Sequence, residues 1–295
     1  CGLRASRKSR SEAATSTHHT PGRMQPLPMS KNPYASMAKE WDWALRGFMV
    51  PHSCVRFATL KFMAAVDGLA QLQAQRSEFD EAACFEALRD WYAEYYLVFT
   101  HEHHDVEEKV YFPWISEQMK AKGLPPVPPK VAAQHEDLIK SMQSIEKLLN
   151  ELAASASSSK TPQLLMQLKK EVHAFAADVF EHLDEEENNI CPLMRQGLSE
   201  DTVQAKETEI VQSLGLAKAK MGVPWIYEGL LYFDPTPEKK VAASFYENLP
   251  PPLRFLMWAS WTSEHERSNT GVIDALANGR APAAPAGFFS CCASQ

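Results

Sequence analysis

From Tyr34 onward, apolar residues recur at intervals of three and four over roughly 160 residues, and no alternating run marks a strand or hairpin. That period predicts long helices, and the interruptions divide them into four, over 36–75, 78–118, 130–152 and 162–196. The first is expected to bend or break at Pro51, because a proline inside a helix removes one hydrogen bond and crowds the preceding turn. Gly68 and the polar stretch 71–77 permit a turn after the first helix, and the run GLPPVPP at 123–129 is a breaker. The Ser-rich stretch 153–161 ends the third helix, and Pro162 suits the first turn of the fourth. Short connections make neighbouring helices antiparallel, so the predicted fold is all-α: an up-down-up-down four-helix bundle over residues 34–197.

The flanks break the pattern. Residues 1–33 hold Arg4, Arg7, Lys8, Arg10, Arg23 and Lys31 against the single acid Glu12, with many Ser, Thr and Pro, and are expected to be disordered. Their Arg- and Ser-rich, acid-poor composition is also transit-like. Residues 198–295 form a C-terminal extension with a predicted helix at 202–213, an aromatic stretch including Trp225, Tyr227, Tyr232 and Phe233, and an amphipathic helix at 252–268. The extension is expected to dock on the bundle and cover one opening of any site inside it. The last fifteen residues are expected to be mobile.

Two stretches on the second and fourth helices repeat one another: HHDVEEKVYFP at 103–113 and HLDEEENNICP at 182–192. In each, a His is followed four residues later by a Glu, which puts imidazole and carboxylate on one helix face. Aligning the copies on Pro113 and Pro192 selects His103 with Glu107 in the first copy and His182 with Glu186 in the second. His103 then shares a face with Tyr96, Phe99, Val106, Val110 and Trp114. His104 with Glu108 has the same spacing and stands as the second choice.

The other two helices each offer one His on an apolar stripe. His135 leads Leu138, Met142, Ile145 and Leu149, and His52 lies among Phe48, Val55, Thr59 and Met63. His52 precedes His103 by 51 residues and His135 precedes His182 by 47, as a duplicated helical hairpin requires. Taken singly, an acidic run is a solvated face and a lone His on an apolar stripe is a core residue. Together they are different, because burying four His and two Glu at one level without metal leaves costly unpaired groups. The candidate metal ligands are therefore His52, His103, Glu107, His135, His182 and Glu186. This oxygen and nitrogen set suits iron or manganese, and the lack of clustered thiolates disfavours structural zinc. If each Glu bridges two octahedral ions, the protein supplies roughly eight of twelve positions, an oxo or hydroxo bridge two more, and about two stay open.

The remaining His residues carry less. His173 is turned about 180° from His182, His18 and His19 fall in the disordered start, His265 has no matching partner, and His101 is placed near the entrance or behind the ligands.

The twin H-x-x-x-E-E segments with their downstream Pro, together with His52 and His135, make residues 36–196 resemble the hemerythrin-like (HHE cation-binding) domain. That resemblance implies a four-helix bundle holding two Fe ions (Fe2+/Fe3+), oxo- or hydroxo-bridged, with the six residues above as ligands. The chain departs from the oxygen-carrying members in having Ile139 where a second His would follow His135, so the broader class is implied. The expected function is binding or sensing of a small ligand, O2 or NO, or of iron itself. The alternatives are a di-iron redox enzyme handling nitrosative or oxidative stress, and a helical interaction module with a purely structural metal.

Composition sets the surroundings. A net charge of -7 with pI near 5.8 argues against nucleic-acid or anionic-membrane binding, and no apolar run approaches the roughly 20 residues of a membrane span. Cys1, Cys54, Cys84, Cys191, Cys291 and Cys292 form no C-x-x-C pair and read as reduced thiols. The expected compartment is the cytoplasm, with an organelle as the alternative raised by the transit-like start.

Overall fold

The computed structural model describes residues 41–75, 78–234 and 238–282; the stretch 1–33 and most of the last fifteen residues, with the expectations placed on them, lie outside the described residues. Every regular element among the described residues is helical.

Helix α1, Trp43–Gln75, starts where Asp42 Oδ1 accepts from the Leu45 amide at 3.0 Å. The same carboxylate receives Arg195 Nε and Nη2, tying the start of α1 to the fourth helix. Of the two outcomes expected at Pro51, a bend or a break, the break does not occur: α1 is one continuous helix through it. Phe48 and Met49 before it and the run from His52 to Thr59 after it are all buried. Packing on both sides of the proline offsets the roughly 3 kcal/mol its lost hydrogen bond costs.

Helix α2 spans 81–121 and is capped by Asp80, whose side chain accepts from Ala83 N at 3.0 Å. It contains two π-helical turns, Tyr92–Tyr96 and Glu107–Tyr111. The second corrects the expected face. One extra residue in a turn shifts the phase of everything after it, so Tyr111, Phe112 and Ile115 are buried while Val110 is 37% exposed. Gly123 at φ +70 turns the chain after α2, in the left-handed region glycine adopts without strain. Helices α3, Pro129–Ala154, and α4, Thr161–Gly197, follow close to their predicted bounds.

These four helices share two apolar clusters. The larger one holds Val55, Phe62, Tyr96, Phe99, Leu138, Met142, Val179 and Leu183; the smaller holds Phe48, Tyr111, Phe112, Val131, Ile190 and Met194. Each fully buried Phe or Leu contributes about 2 to 3 kcal/mol. Reading along the chain, α1 leaves the smaller cluster for the larger, α2 returns, α3 leaves again and α4 returns. Between the clusters lies one polar layer, and every helix crosses it at His52, His103 to Glu107, His135 or His182 to Glu186.

The extension adds α5, Glu200–Ser213, α6, Gly215–Phe233, α7, Lys240–Asn248, and α8, 251–277. Gly222, Pro224 and Gly229 hide α6 from a sequence reading, since each suggests a break. Gly229 is there because a Cβ would stand 2.7 Å from the Ser53 carbonyl oxygen and 2.8 Å from Cys54 Cα. Trp225 enters the larger cluster against Phe99 at 5.2 Å and Trp91 at 6.2 Å. From α8, Asn269 Oδ1 accepts from Trp91 Nε1 at 2.7 Å and Asp274 pairs with Lys61 at 2.6 Å. The extension therefore docks along α1 and α2, and it flanks the polar layer at Ser53 beside His52 and, through Lys218, at Glu102 beside His103.

Candidate metal centre

All six predicted ligands come together in the polar layer. Glu186, fully buried, stands at its centre: Oε2 is 3.2 Å from His52 Nε2, and Oε1 is 3.2 Å from His182 Nε2 and 3.4 Å from His135 Nε2. Glu107 mirrors it, with Oε1 3.5 Å from His52 Nε2 and Oε2 3.4 Å from His103 Nε2 and 3.8 Å from His135 Nε2. Each carboxylate thus spreads its two oxygens between different imidazoles. His135 Nε2 and His182 Nε2 are 2.9 Å apart, the spacing of adjacent nitrogens on one ion with bonds of about 2.1 Å.

His104 joins the layer alongside His103 instead of replacing it. It is 3% exposed and its ring stacks on His135 at 4.3 Å and 24°. Ligand atoms fall into two groups, each within 4.8 Å: His52, His103, Glu107 and Glu186 in one, and His104, His135 and His182 in the other. The sequence treated His103 and His104 as alternatives, since on spacing alone one helix face holds only one of them. The structure buries both.

The outer nitrogens of His52, His135 and His182 are held from behind. His52 Nδ1 is 2.7 Å from Glu187 Oε1, which also accepts from Arg56 Nη1 at 2.6 Å, and Arg56 Nη2 reaches Asp184 at 2.8 Å. His135 Nδ1 is 2.9 Å from Glu108 Oε1, and His182 Nδ1 is 3.3 Å from Gln134 Oε1. Gln134 is fixed in turn by Glu185 at 3.0 Å. An Nδ1–H donated to a carboxylate or amide oxygen leaves the Nε2 lone pair aimed inward, as metal-binding imidazoles require. This settles the geometry of the two neighbouring glutamates: Glu107 is 4% exposed and turned inward, whereas the Glu108 side chain is 35% exposed and holds His135 from outside. Beyond Glu108 lies a cavity of about 570 Å³ walled by Phe112, Val127, Pro129 and Ala133.

Protonation follows from burial and neighbours. Burial pushes His103 and His104 well below the ordinary imidazole range, keeping them neutral. Burial likewise works against a charge on His52, but Glu107, Glu186 and Glu187 outweigh it and raise its pKa well above the usual value. Burial and the Glu186 charge lift Glu107 to about 7, while His135, His182 and His52 overcome burial to hold Glu186 well below the usual carboxylate range.

The residues fit a metal on an observation independent of spacing. His52 Nε2, His103 Nε2, both His104 nitrogens, Glu107 Oε2 and both Glu186 oxygens are buried without hydrogen-bond partners. Leaving so many polar atoms unpaired costs about 1 to 3 kcal/mol each, and cations bound among them would satisfy the inward-facing imidazole nitrogens and carboxylate oxygens. The remaining His residues lie elsewhere: His173 Nε2 pairs with Asp67 at 2.9 Å and His265 Nε2 with Glu228 at 3.2 Å. His265 has a partner after all, in a buried network with Thr270 and Asn269 that no sequence spacing announces. Cys54, Cys84 and Cys191 are buried free thiols outside the layer.

No helix among the described residues is long and apolar enough to cross a membrane. Comparison with the curated proteins and with the solved structures gave no match. Residues 63–194 match the family model described as the hemerythrin HHE cation binding domain, a stretch that takes in every residue of the layer except His52. Over that stretch the chain is similar to the hemerythrin HHE cation-binding domain, and its buried His and Glu groups are compatible with metal binding.

Proposed function

We propose that the chain is a non-haem di-iron protein in which α1 to α4 form an up-down-up-down four-helix bundle around the metal layer. The carrying observation is the set of buried, unpartnered imidazole nitrogens and carboxylate oxygens that converge from four helices. His52 and His103 would hold one iron, His135 and His182 the other, and Glu107 and Glu186 would span the two. Nitrogen and carboxylate donors without thiolates favour iron among redox-active metals, and an oxo or hydroxo bridge completes the pair.

When bound, iron supplies a redox-active Lewis acid able to take up a small ligand such as O2 or NO. The protein's own part is to orient and to exclude water. Glu187, Glu108 and Gln134 fix the rings of His52, His135 and His182, and the two apolar clusters seal the layer above and below. Reversible binding or sensing of a small ligand, or of iron, is the function this arrangement supports best. Redox turnover of an organic substrate is the second reading.

Anaerobic reconstitution with Fe(II) followed by metal analysis tests the proposal, with about two irons per chain expected. Near-ultraviolet absorption that then changes on exposure to O2 or NO supports small-ligand binding. Protein that takes up no iron overturns the di-iron reading, and two irons whose spectrum ignores both gases leave a closed structural site.

A further inference from the structure

His104 has no task in the six-ligand set. It is as deeply buried as the accepted candidates, and neither ring nitrogen has a hydrogen-bond partner. A neutral imidazole carries one donor and one acceptor, so a histidine serving only to fill the core would be expected to pair at least one of them. His104 instead lies against two imidazoles, stacked on His135 and edge-on to His182 at 5.5 Å and 83°. Its ligand atom falls within 4.8 Å of those of His135 and His182.

We infer that His104 is a seventh metal ligand, the third imidazole at the iron held by His135 and His182, supplied from α2 where α3 offers only Ile139. This rests on the di-iron reading and extends it.

The adjacency of His103 and His104 is what makes the arrangement work. Consecutive helical residues point about 100° apart, too divergent to crowd onto one ion but suited to straddling two ions roughly 3.5 to 4 Å apart. His103 turns toward His52, their ring centres 5.2 Å apart at 87°, and His104 turns the other way, toward His135. Glu107, one turn after His103, begins a π-helical turn and stays in the layer. The two irons would then differ, one held by His104, His135 and His182 and the other by His52 and His103.

The test compares wild-type protein, His104→Ala, His104→Gln and, as an off-site control, His173→Ala. All are reconstituted anaerobically with 57Fe(II) and read by metal analysis, Mössbauer spectroscopy and far-ultraviolet circular dichroism. The wild type and His173→Ala are expected to hold about two irons in two distinguishable environments. His104→Ala is expected to keep its helicity and either to lose at least half of its iron or to show one environment changed and the other intact. If the alanine variant fails to fold, His104→Gln preserves a buried polar group and is read in the same way. Wild-type iron content with an unchanged Mössbauer spectrum in the folded variant overturns the inference. A wild type that takes up no iron overturns instead the di-iron reading on which it rests.

Discussion

Glu187 binds His52 through the same oxygen that receives the Arg56 guanidinium, at 2.7 Å and 2.6 Å respectively. Burial works against the Glu187 charge, but His52 and Arg56 outweigh it and hold its pKa below the ordinary range. A full negative charge therefore faces His52 Nδ1 and holds its proton there, so that a bound cation would displace the proton on Nε2. Glu187→Gln keeps the shape and removes the charge. It is expected to weaken iron binding by about 10- to 100-fold while leaving helicity unchanged, as read by competition with a chelator; unchanged affinity would remove Glu187 from the site.

Glu107 and Glu108 are sequence neighbours with opposite expected phenotypes. Glu107→Ala removes a carboxylate that faces three imidazoles and should deplete iron outright. Glu108→Ala removes only the outer partner of His135, beside an open cavity from which water can replace it. Its cost in affinity is expected at the lower end of the range for outer ligand partners, about 10-fold. Metal analysis of the two variants side by side checks the difference, and depletion by Glu108→Ala alone would reverse the assignment.

How much of this was legible beforehand depends on which residues are asked. The twin H-x-x-x-E-E segments are local, and a spacing of four carries its own geometry, so Glu107, His182 and Glu186 could be read from order alone. His52 and His135 needed only the apolar stripe around each. His104 stands as the alternative to His103 because both pairs have the same spacing, and the structure buries both side chains in the layer. The π-helical turn at Glu107–Tyr111 left no composition signal, so the buried face beyond it was read one residue out of phase, at Val110 in place of Tyr111. Helix α6 was hidden by Gly229, a residue that weakens a helix locally but is required by the close approach to Ser53 and Cys54.

The docking of the extension can be tested apart from the metal. Asn269→Ala leaves Trp91 Nε1 without its acceptor, and Trp91 is only 2% exposed. The expected loss is about 1 to 3 kcal/mol of stability, seen as a lower Tm, with iron content unchanged because Asn269 lies outside the layer. A variant as stable as wild type would show that this contact does not anchor α8.

Glu207 gives a pH dependence with a definite sign. Burial beside the Tyr111 hydroxyl, which donates to it at 3.3 Å, pushes its pKa up to about 7. The folded state therefore binds a proton that the unfolded state has already released between the ordinary carboxylate value and about 7. Stability falls as pH rises through that window and levels off above it. Glu207→Gln removes the ionisation and should stabilise the protein on the order of 1 to 2 kcal/mol at pH 8 while changing little at pH 5. Thermal melts of both proteins at the two pH values check this, and a gain confined to pH 5 would contradict the sign.

Because each of the four long helices sends at least one of the proposed ligands to a single layer, iron bound there would act as a cross-link between segments that are distant in sequence. From His52 to Glu186 the polypeptide is gathered at one point, with the intervening hairpins closed as loops. A cross-link of this kind removes conformations from the unfolded ensemble without adding apolar contact, and binding to the folded state alone raises stability with the logarithm of free iron. Under the di-iron proposal, the melting temperature of the protein would become a reading of the iron around it.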